Sequence, residues 1–381
     1  MLNRVEISKK KGANEMVRRI GLILVIGSLV VGLMGCSKGS SGGQPQGGDK
    51  PQALAAQAAR ELVVAGYGGT FEKAFKETVI PAFEKQFGAK VTYVTGVSTA
   101  TLAKLQAQRD KPEIDVAIVD DGPQAQAKAL GLLEKLDTAK VTNLSNLYDI
   151  APDKDNVGVG IGVVATGIGY NTKVYKEKGI PAPTSWAELA SPAVKGRVVL
   201  QSITTTYGVH HLVMAAKMNG GGEKDIDPGF KAIQEYKANV VTFDKTADVS
   251  KQFQQGEAWI GPWGSGRVYT LAKSGFPIQF VYPKEGAPAL LPMASVVKGA
   301  PHPDLAQQFV NFLLTDEVQK VIAGSVFFGP VNQNVKLDPD VAKLVPYGPE
   351  QINKLTKIDW ATVNAKRADW TERWTKEIEA K

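Results

Sequence analysis

The chain has 381 residues, with 45 Lys and Arg against 38 Asp and Glu, a formal net charge of +7, three His and one Cys. Six of the basic residues and two of the acidic ones lie in residues 1–35, so a chain without that segment carries +3, too small an excess to argue for nucleic acid. A single cysteine excludes an intrachain disulfide, and the length leaves room for two domains stabilised by core burial.

Arg18 and Arg19 precede an apolar run, Ile20 to Leu33, interrupted only by Gly and one Ser. At 14 residues it is shorter than the roughly 20 a helix needs to cross a bilayer, so it is expected to be an export signal and not a membrane span. The run closes as Leu33-Met34-Gly35-Cys36, which resembles the bacterial lipobox, with Met34 where smaller residues are usual. That resemblance implies a lipid on Cys36 as the first residue of the mature chain, and so an extracytoplasmic protein held at the cell membrane or the periplasmic face of the envelope. Residues 37–50, "SKGSSGGQPQGGDK", lack apolar side chains and are expected to be a flexible tether.

The folded part opens with an apolar strand, Glu61 to Ala65, ending in "GYGGT" at 66–70. Phe71, Phe75, Val79, Phe83 and Phe87 then recur every fourth residue, which predicts a helix kinked at Pro81 and closed by Gly88. A strand from Lys90 to Val94, the loop "TGVST", a helix through Leu102 and Leu105, a strand from Ile114 to Val119, the loop "DDGP" and a helix running to Leu136 follow. The glycine-rich segment "VGVGIGVVATGIGYN", 157–171, reads as an extended crossing. Beyond it, "TSWAELASPAVKGRVVL" predicts a helix and strand and "TTTYGVHHLVMAAKM" a helix with threonines at its mouth. Asp248 to Gln254 reads as helical, "AWIGPWGSGR" as a strand entering a turn, and "IQFVYP" and "ASVVKG" as strands. "PDLAQQFVNFLLTDEVQKVIA" reads as one long helix. Strands alternating with helices imply parallel crossovers and an α/β fold.

Enzyme signatures are absent or misplaced. G-x-S-x-G occurs only at Gly35 to Gly39 and Gly39 to Gly43, in the tether, and there is neither a Walker A loop nor H-E-x-x-H. Gly158-x-Gly160-x-Gly162 opens no helix, so no dinucleotide cofactor is expected. His210 and His211 point apart on a helix and His302 lies between prolines, poor geometry for a metal. What remains is polar and sits after strands, where open α/β sheets bind ligands: Tyr67 and Thr70, Ser98 and Thr99, Asp120 and Asp121, and Thr204, Thr205 and Thr206. Helix capping accounts for the Ser and Thr equally well, and one residue can serve both roles.

The order of "GYGGTFEKAFKETVIPAFEKQFG", "DVAIVDDGPQAQAKALGLLEKLD", "GIGYNTKVYKEKGIPAPTSWAELA", "FQQGEAWIGPWGSG" and "PHPDLAQQFVNFLLTDEVQKVIA" resembles the extracellular solute-binding proteins of bacterial ABC importers. The branch is the one that includes spermidine/putrescine-, ferric- and thiamine-binding proteins. The resemblance implies two α/β lobes of the periplasmic-binding-protein type closing on a ligand like a hinge, a monomer without cofactor, and an ABC permease as partner. It implies lobe 1 from residues 58–166 plus 293–330 and lobe 2 from 167–292 plus 331–381, after a signal of 1–35 and a tether of 36–57. The crossings fall near Ala165 to Tyr170 and Leu291 to Ala294. Trp263 matches a tryptophan that stacks on the ligand's alkyl chain. The acids that grip ammonium groups in polyamine binders are replaced here by Thr206, Val209 and Met293, and the adjacent tyrosines of ferric binders are missing.

A polyamine in a dry cleft needs paired carboxylates, so the pocket is expected to differ from the fold's namesakes. A small anion or an amino-acid- or aminobutyrate-like zwitterion fits better, with Arg267 and Thr204 to Thr206 on its acidic end, Asp120 and Asp121 on an ammonium, and Tyr67 and Trp263 along the carbons. The alternatives are a polyamine or thiamine in a divergent pocket, an extracytoplasmic enzyme on the same scaffold, and a sensor or adhesin.

Overall fold

The stripe of phenylalanines folds as expected. Phe71, Phe75, Val79 and Phe83 are buried in one core cluster, and the helix ends at Gly88 with φ 60°. Pro81 has no N–H to give the carbonyl one turn back, and the helix absorbs the loss as a wide π turn over Phe75–Val79. The computed structural model describes residues 60–380; the export segment, Cys36 and the tether lie outside the described residues.

Among those residues are the strands β1 (Arg60–Gly66), β2 (Ala89–Thr95), β3 (Val116–Asp120), β4 (Val159–Gly160), β5 (Val164–Asn171), β6 (Val198–Gln201), β7 (Val240–Asp244), β8 (Ile260–Gly264), β9 (Ile278–Val281), β10 (Ala289–Leu290) and β11 (Pro292–Val296). They form two sheets. The first has the order β2-β1-β3-β11-β4, with β1 parallel to β2 and β3 and with β11 antiparallel, Pro292 facing Asp120. The second has the order β10-β5-β8-β6-β7, with β9 also paired to β5. Helices supply the crossovers between the parallel strands, as the alternation of elements required.

The chain leaves the first sheet after β4 and enters the second at β5, so the crossing is Ile161 to Val163, a few residues before Ala165 to Tyr170, which lie inside β5. It returns at Leu291, between β10 and β11. Each sheet carries its own core. Phe75, Phe83, Ile118, Phe309 and Ile322 pack on the first; Trp186, Leu200, Phe230, Trp370 and Trp374 pack on the second. Val331, Ile352 and Leu355 belong to the first cluster, and the C-terminal segment joins the second from Ile358 onward.

The run expected as one long helix is two, Pro303–Leu313 and Asp316–Val326, broken at Thr315. Thr315 takes extended backbone angles and is followed by Asp316 and Glu317, the acidic first turn that a helix N-terminus favours. The helix Thr206–Met218 is packed against β6 so tightly that a Cβ on Gly208 would come 2.6 Å from the Gln201 carbonyl and closer still to that of Ser202. Gly208→Ala is therefore expected to cost about 2 kcal/mol of stability, read as a lower melting temperature.

Candidate functional site

The loops after β1, β2 and β3 meet those after β6, β7 and β8 around a cavity of about 450 Å³. Every one of these loops follows the carboxyl end of its strand, where parallel sheets leave backbone groups and side chains free for a ligand. Of the residues singled out in the sequence, Tyr67, Thr70, Ser98, Thr99, Asp120, Thr204, Thr205, Thr206 and Arg267 line this cleft together.

Asp120 is its polar centre on the first-sheet side. Tyr67 Oη donates to Oδ1 at 2.6 Å, and Thr206 Oγ1, from the second-sheet side, donates to Oδ2 at 2.7 Å. The Ser98 hydroxyl accepts from the Asp120 backbone N–H at 3.1 Å. Burial, then the Asp120 carboxylate, hold the Tyr67 phenol well above its ordinary pKa, so it stays a donor. Tyr67 is steadied by Tyr93 Oη, which donates to its carbonyl at 2.7 Å, and by an edge contact with Phe71. Thr205 does act as a helix cap: its Oγ1 accepts from Gly208 N at 3.1 Å and donates to the Ser202 carbonyl.

The opposite wall is basic. Arg267 Nη1 lies 3.4 Å from Asp248, both about half exposed, and Lys245 Nζ lies 3.1 Å from Glu379. Arg367 differs. Its Nη2 donates to the Ile203 carbonyl at 3.0 Å, and among the described residues no carboxylate lies within ion-pair distance of it. Burial lowers its pKa to about 10, which leaves it charged at neutral pH. The cleft lining thus holds one carboxylate, Asp120, against Lys245, Arg267 and Arg367.

Two expected ligand residues are not in the cleft. Trp263 is 1% exposed, stacked on Phe253 at 6.0 Å inside a hydrophobic cluster, and its Nε1 donates to the Ala247 carbonyl at 3.3 Å. It braces the β7 loop that carries Lys245 and does not line the cleft, because alternation along β8 turns its ring into the cluster. Asp121 faces away from Asp120, into a rear cavity of about 1120 Å³, where Oδ2 accepts from Trp360 Nε1 at 2.7 Å.

Sequence reading missed Lys245 and Arg367. Lys245 follows β7 in "VTFDKTA", so the strand-end rule that selected Thr204 to Thr206 would have found it. Arg367 lies in a polar C-terminal helix, Trp360–Arg373, and carries no local signal of its role. His210 and His211 are buried side by side in one helix, bonded apart to Thr166 and Tyr236, and burial lowers both to a pKa of about 3. They are neutral packing residues. No cluster of His, Cys, Asp and Glu among the described residues would hold a metal ion.

Two sheet-based halves joined by crossings around a polar cleft define a protein that captures a small molecule between them. The chain belongs to the bacterial extracellular solute-binding protein family, whose model matches residues 78–347. It is 27% identical to a spermidine/putrescine-binding periplasmic protein of Escherichia coli, over 69% of this chain and 77% of that one. It is 24% identical to a gamma-aminobutyric acid-binding protein of Pseudomonas aeruginosa, over 81% of this chain and 88% of that one. The crystal structure of an ABC transporter from Clostridium perfringens superposes with a TM-score of 0.71 at 27% identity, covering 83% of this chain and 99% of that one. This is the substrate-binding protein of an ABC importer, and not an enzyme; such proteins bind a small molecule and deliver it to permease subunits. Its relatives are periplasmic or extracellular, and among the described residues no helix is long and apolar enough to cross a membrane.

Proposed function

We propose that the solute is a small anion or an amino-acid- or aminobutyrate-like zwitterion, held with its acidic group at Arg367, Lys245 and Arg267 and any ammonium at Asp120. The observation that carries this is Arg367, a partly buried guanidinium facing the cleft and, among the described residues, without a carboxylate partner. A buried charge is costly unless paired, and a carboxylate or phosphoryl group of the solute supplies the partner, with bidentate geometry. Tyr67 and Phe71 flank the Asp120 end and offer apolar faces to the carbons. A polyamine would have a single carboxylate, Asp120, for two or more ammonium groups, facing three cations.

Thermal-shift screening against spermidine, putrescine, γ-aminobutyrate, amino acids, aminophosphonates and thiamine tests the reading. A ligand at 100 times its Kd adds about 2.7 kcal/mol of stability, so anions or zwitterions are expected to raise the melting temperature by several degrees while polyamines leave it unmoved. A shift with spermidine or putrescine alone would overturn it. Arg267→Ala is expected to weaken the captured solute about tenfold, less than a buried cation would, because Asp248 and water already share its charge. Unaltered affinity in calorimetry removes Arg267 from the site.

The remaining assignments are part of the same proposal. Lobe 1 is assigned 60–163 and 291–356 and lobe 2 164–290 and 357–380, which differs from the expected split: the sheet memberships support moving both crossings, and Val331, Ile352 and Leu355 in the first cluster support moving 331–356 out of lobe 2. The receptor is monomeric and held by lipid on Cys36, and Cys36→Ala should release it from membranes unlabelled by a fatty-acid analogue.

A further inference from the structure

Asp120 and Asp121 are neighbours at the start of the helix Asp121–Ala129, yet they line different cavities. Asp120 lines the ligand cleft and Asp121 the rear cavity. The rear face of this helix is gripped by the C-terminal helix Trp360–Arg373. Trp360 Nε1 donates to Asp121 Oδ2 at 2.7 Å, Asn364 Nδ2 donates to the Gly122 carbonyl at 3.0 Å, and Gln126 Nε2 donates to Asn364 Oδ1 at 3.0 Å. Gly122 makes room for the indole: a Cβ there would come within 2.8 Å of the Trp360 ring. Trp360 itself is buried in the second hydrophobic cluster, whereas the helix it grips follows β3 of the first sheet.

Residues 360, 364 and 367 stand at i, i+4 and i+7, on one face of the C-terminal helix. The first two hold the rear of the Asp121–Ala129 helix; the third, Arg367, lines the cleft. One rigid helix therefore joins the rear contact to the cation facing the ligand, and the helix it holds begins next to the anion facing the ligand.

We propose that Trp360, Asn364 and Asp121 form an inter-half clasp that positions Arg367 against Asp120, making Trp360 and Asn364 positioning residues for solute capture although neither lines the cleft. The proposal rests on the reading of Arg367 as the solute's counter-charge, but its test needs no solute. In the ligand-free full-length protein at pH 4, hydrogen–deuterium exchange of the backbone amides of Trp360–Arg373, read by mass spectrometry of their peptides, reports how often the C-terminal helix leaves its place. Trp360→Phe keeps the ring and removes the donor; Asp121→Ala removes the acceptor; Asp121→Asn keeps an acceptor in place. Trp360→Phe and Asp121→Ala are each expected to speed this exchange about fivefold, the Boltzmann equivalent of one lost hydrogen bond, with unchanged circular dichroism. At that pH Asp121→Asn is expected to stay at the native rate. Native rates in both Trp360→Phe and Asp121→Ala overturn the clasp, as does an Asp121→Asn rate equal to that of Asp121→Ala, which would mean that packing alone matters. Failure of the solute reading shows elsewhere, as unchanged affinity on replacing Arg367.

Discussion

Arg367→Met is expected to weaken capture of an anionic or zwitterionic solute about 100-fold. Hydrogen bonds to a charged group contribute about 1.5–3 kcal/mol, and here the guanidinium is partly buried, so solvent dilutes the interaction less than at an exposed site. Methionine keeps the length of the stem and its packing while removing the cation. The ligand-free protein should be as stable as the native one or more so, because the depressed pKa of Arg367 means that folding buries a charge at a cost. Calorimetry with the solute selected by thermal screening, beside melting of the empty protein, checks both halves. Affinity within threefold of native would mean that the cation serves the fold and not the solute.

The second large effect concerns Asp121. Burial raises its pKa to about 8, and Oδ1 is shut away without a partner. The unfolded chain releases this proton near pH 3.8, so between about 3.8 and 8 the native state holds more protons than the unfolded state. The contribution of Asp121 to stability is thus fully present below pH 3.8 and is lost as pH rises through 8. Asparagine is neutral at every pH and still offers an oxygen to Trp360 Nε1. Asp121→Asn is expected to match the native protein near pH 4 and to gain on it by about 1.4 kcal/mol per pH unit, reaching about 4 kcal/mol at pH 7. His210 and His211 act in the opposite sense between pH 6.5 and 3, since burial keeps them neutral, but they are common to both proteins and cancel in the difference. Denaturant titrations of the pair from pH 4 to 9 give the curve directly, and a flat difference would place the ionised carboxylate in contact with water.

The strand ends were legible because their signal is local. Tyr67, Ser98, Asp120 and Thr206 each follow an apolar run and precede a helical pattern, and parallel-sheet topology brings such positions to one edge. Which way a side chain points at that edge is not local. Asp120 and Asp121 read alike in "VDDGP", and the change from extended backbone at Asp120 to helix at Asp121 sends the first to the cleft and the second to Trp360, 239 positions away. Trp263 carried the family's pattern, yet the pleat of β8 turns it into a cluster with Phe253 and Val199. The long helix expected over 303–323 failed at Thr315 because apolar periodicity persists across the break while the cap and the acidic turn that start a new helix are short-range signals.

The sequence by itself determined the α/β class, the family and, through that resemblance, a two-lobed architecture, with the second crossing at Leu291 and the first placed a few residues too late. Those properties depend on periodicity, residue type and order, which are written along the chain. Only the tertiary structure decided the sign of the cleft. The cation proposed to meet the solute, Arg367, comes from the helix Trp360–Arg373 and is placed there by Trp360 and Asn364 gripping the helix Asp121–Ala129. Contacts between residues more than two hundred positions apart leave no periodic trace in either segment, so their consequence appears only when the chain is folded.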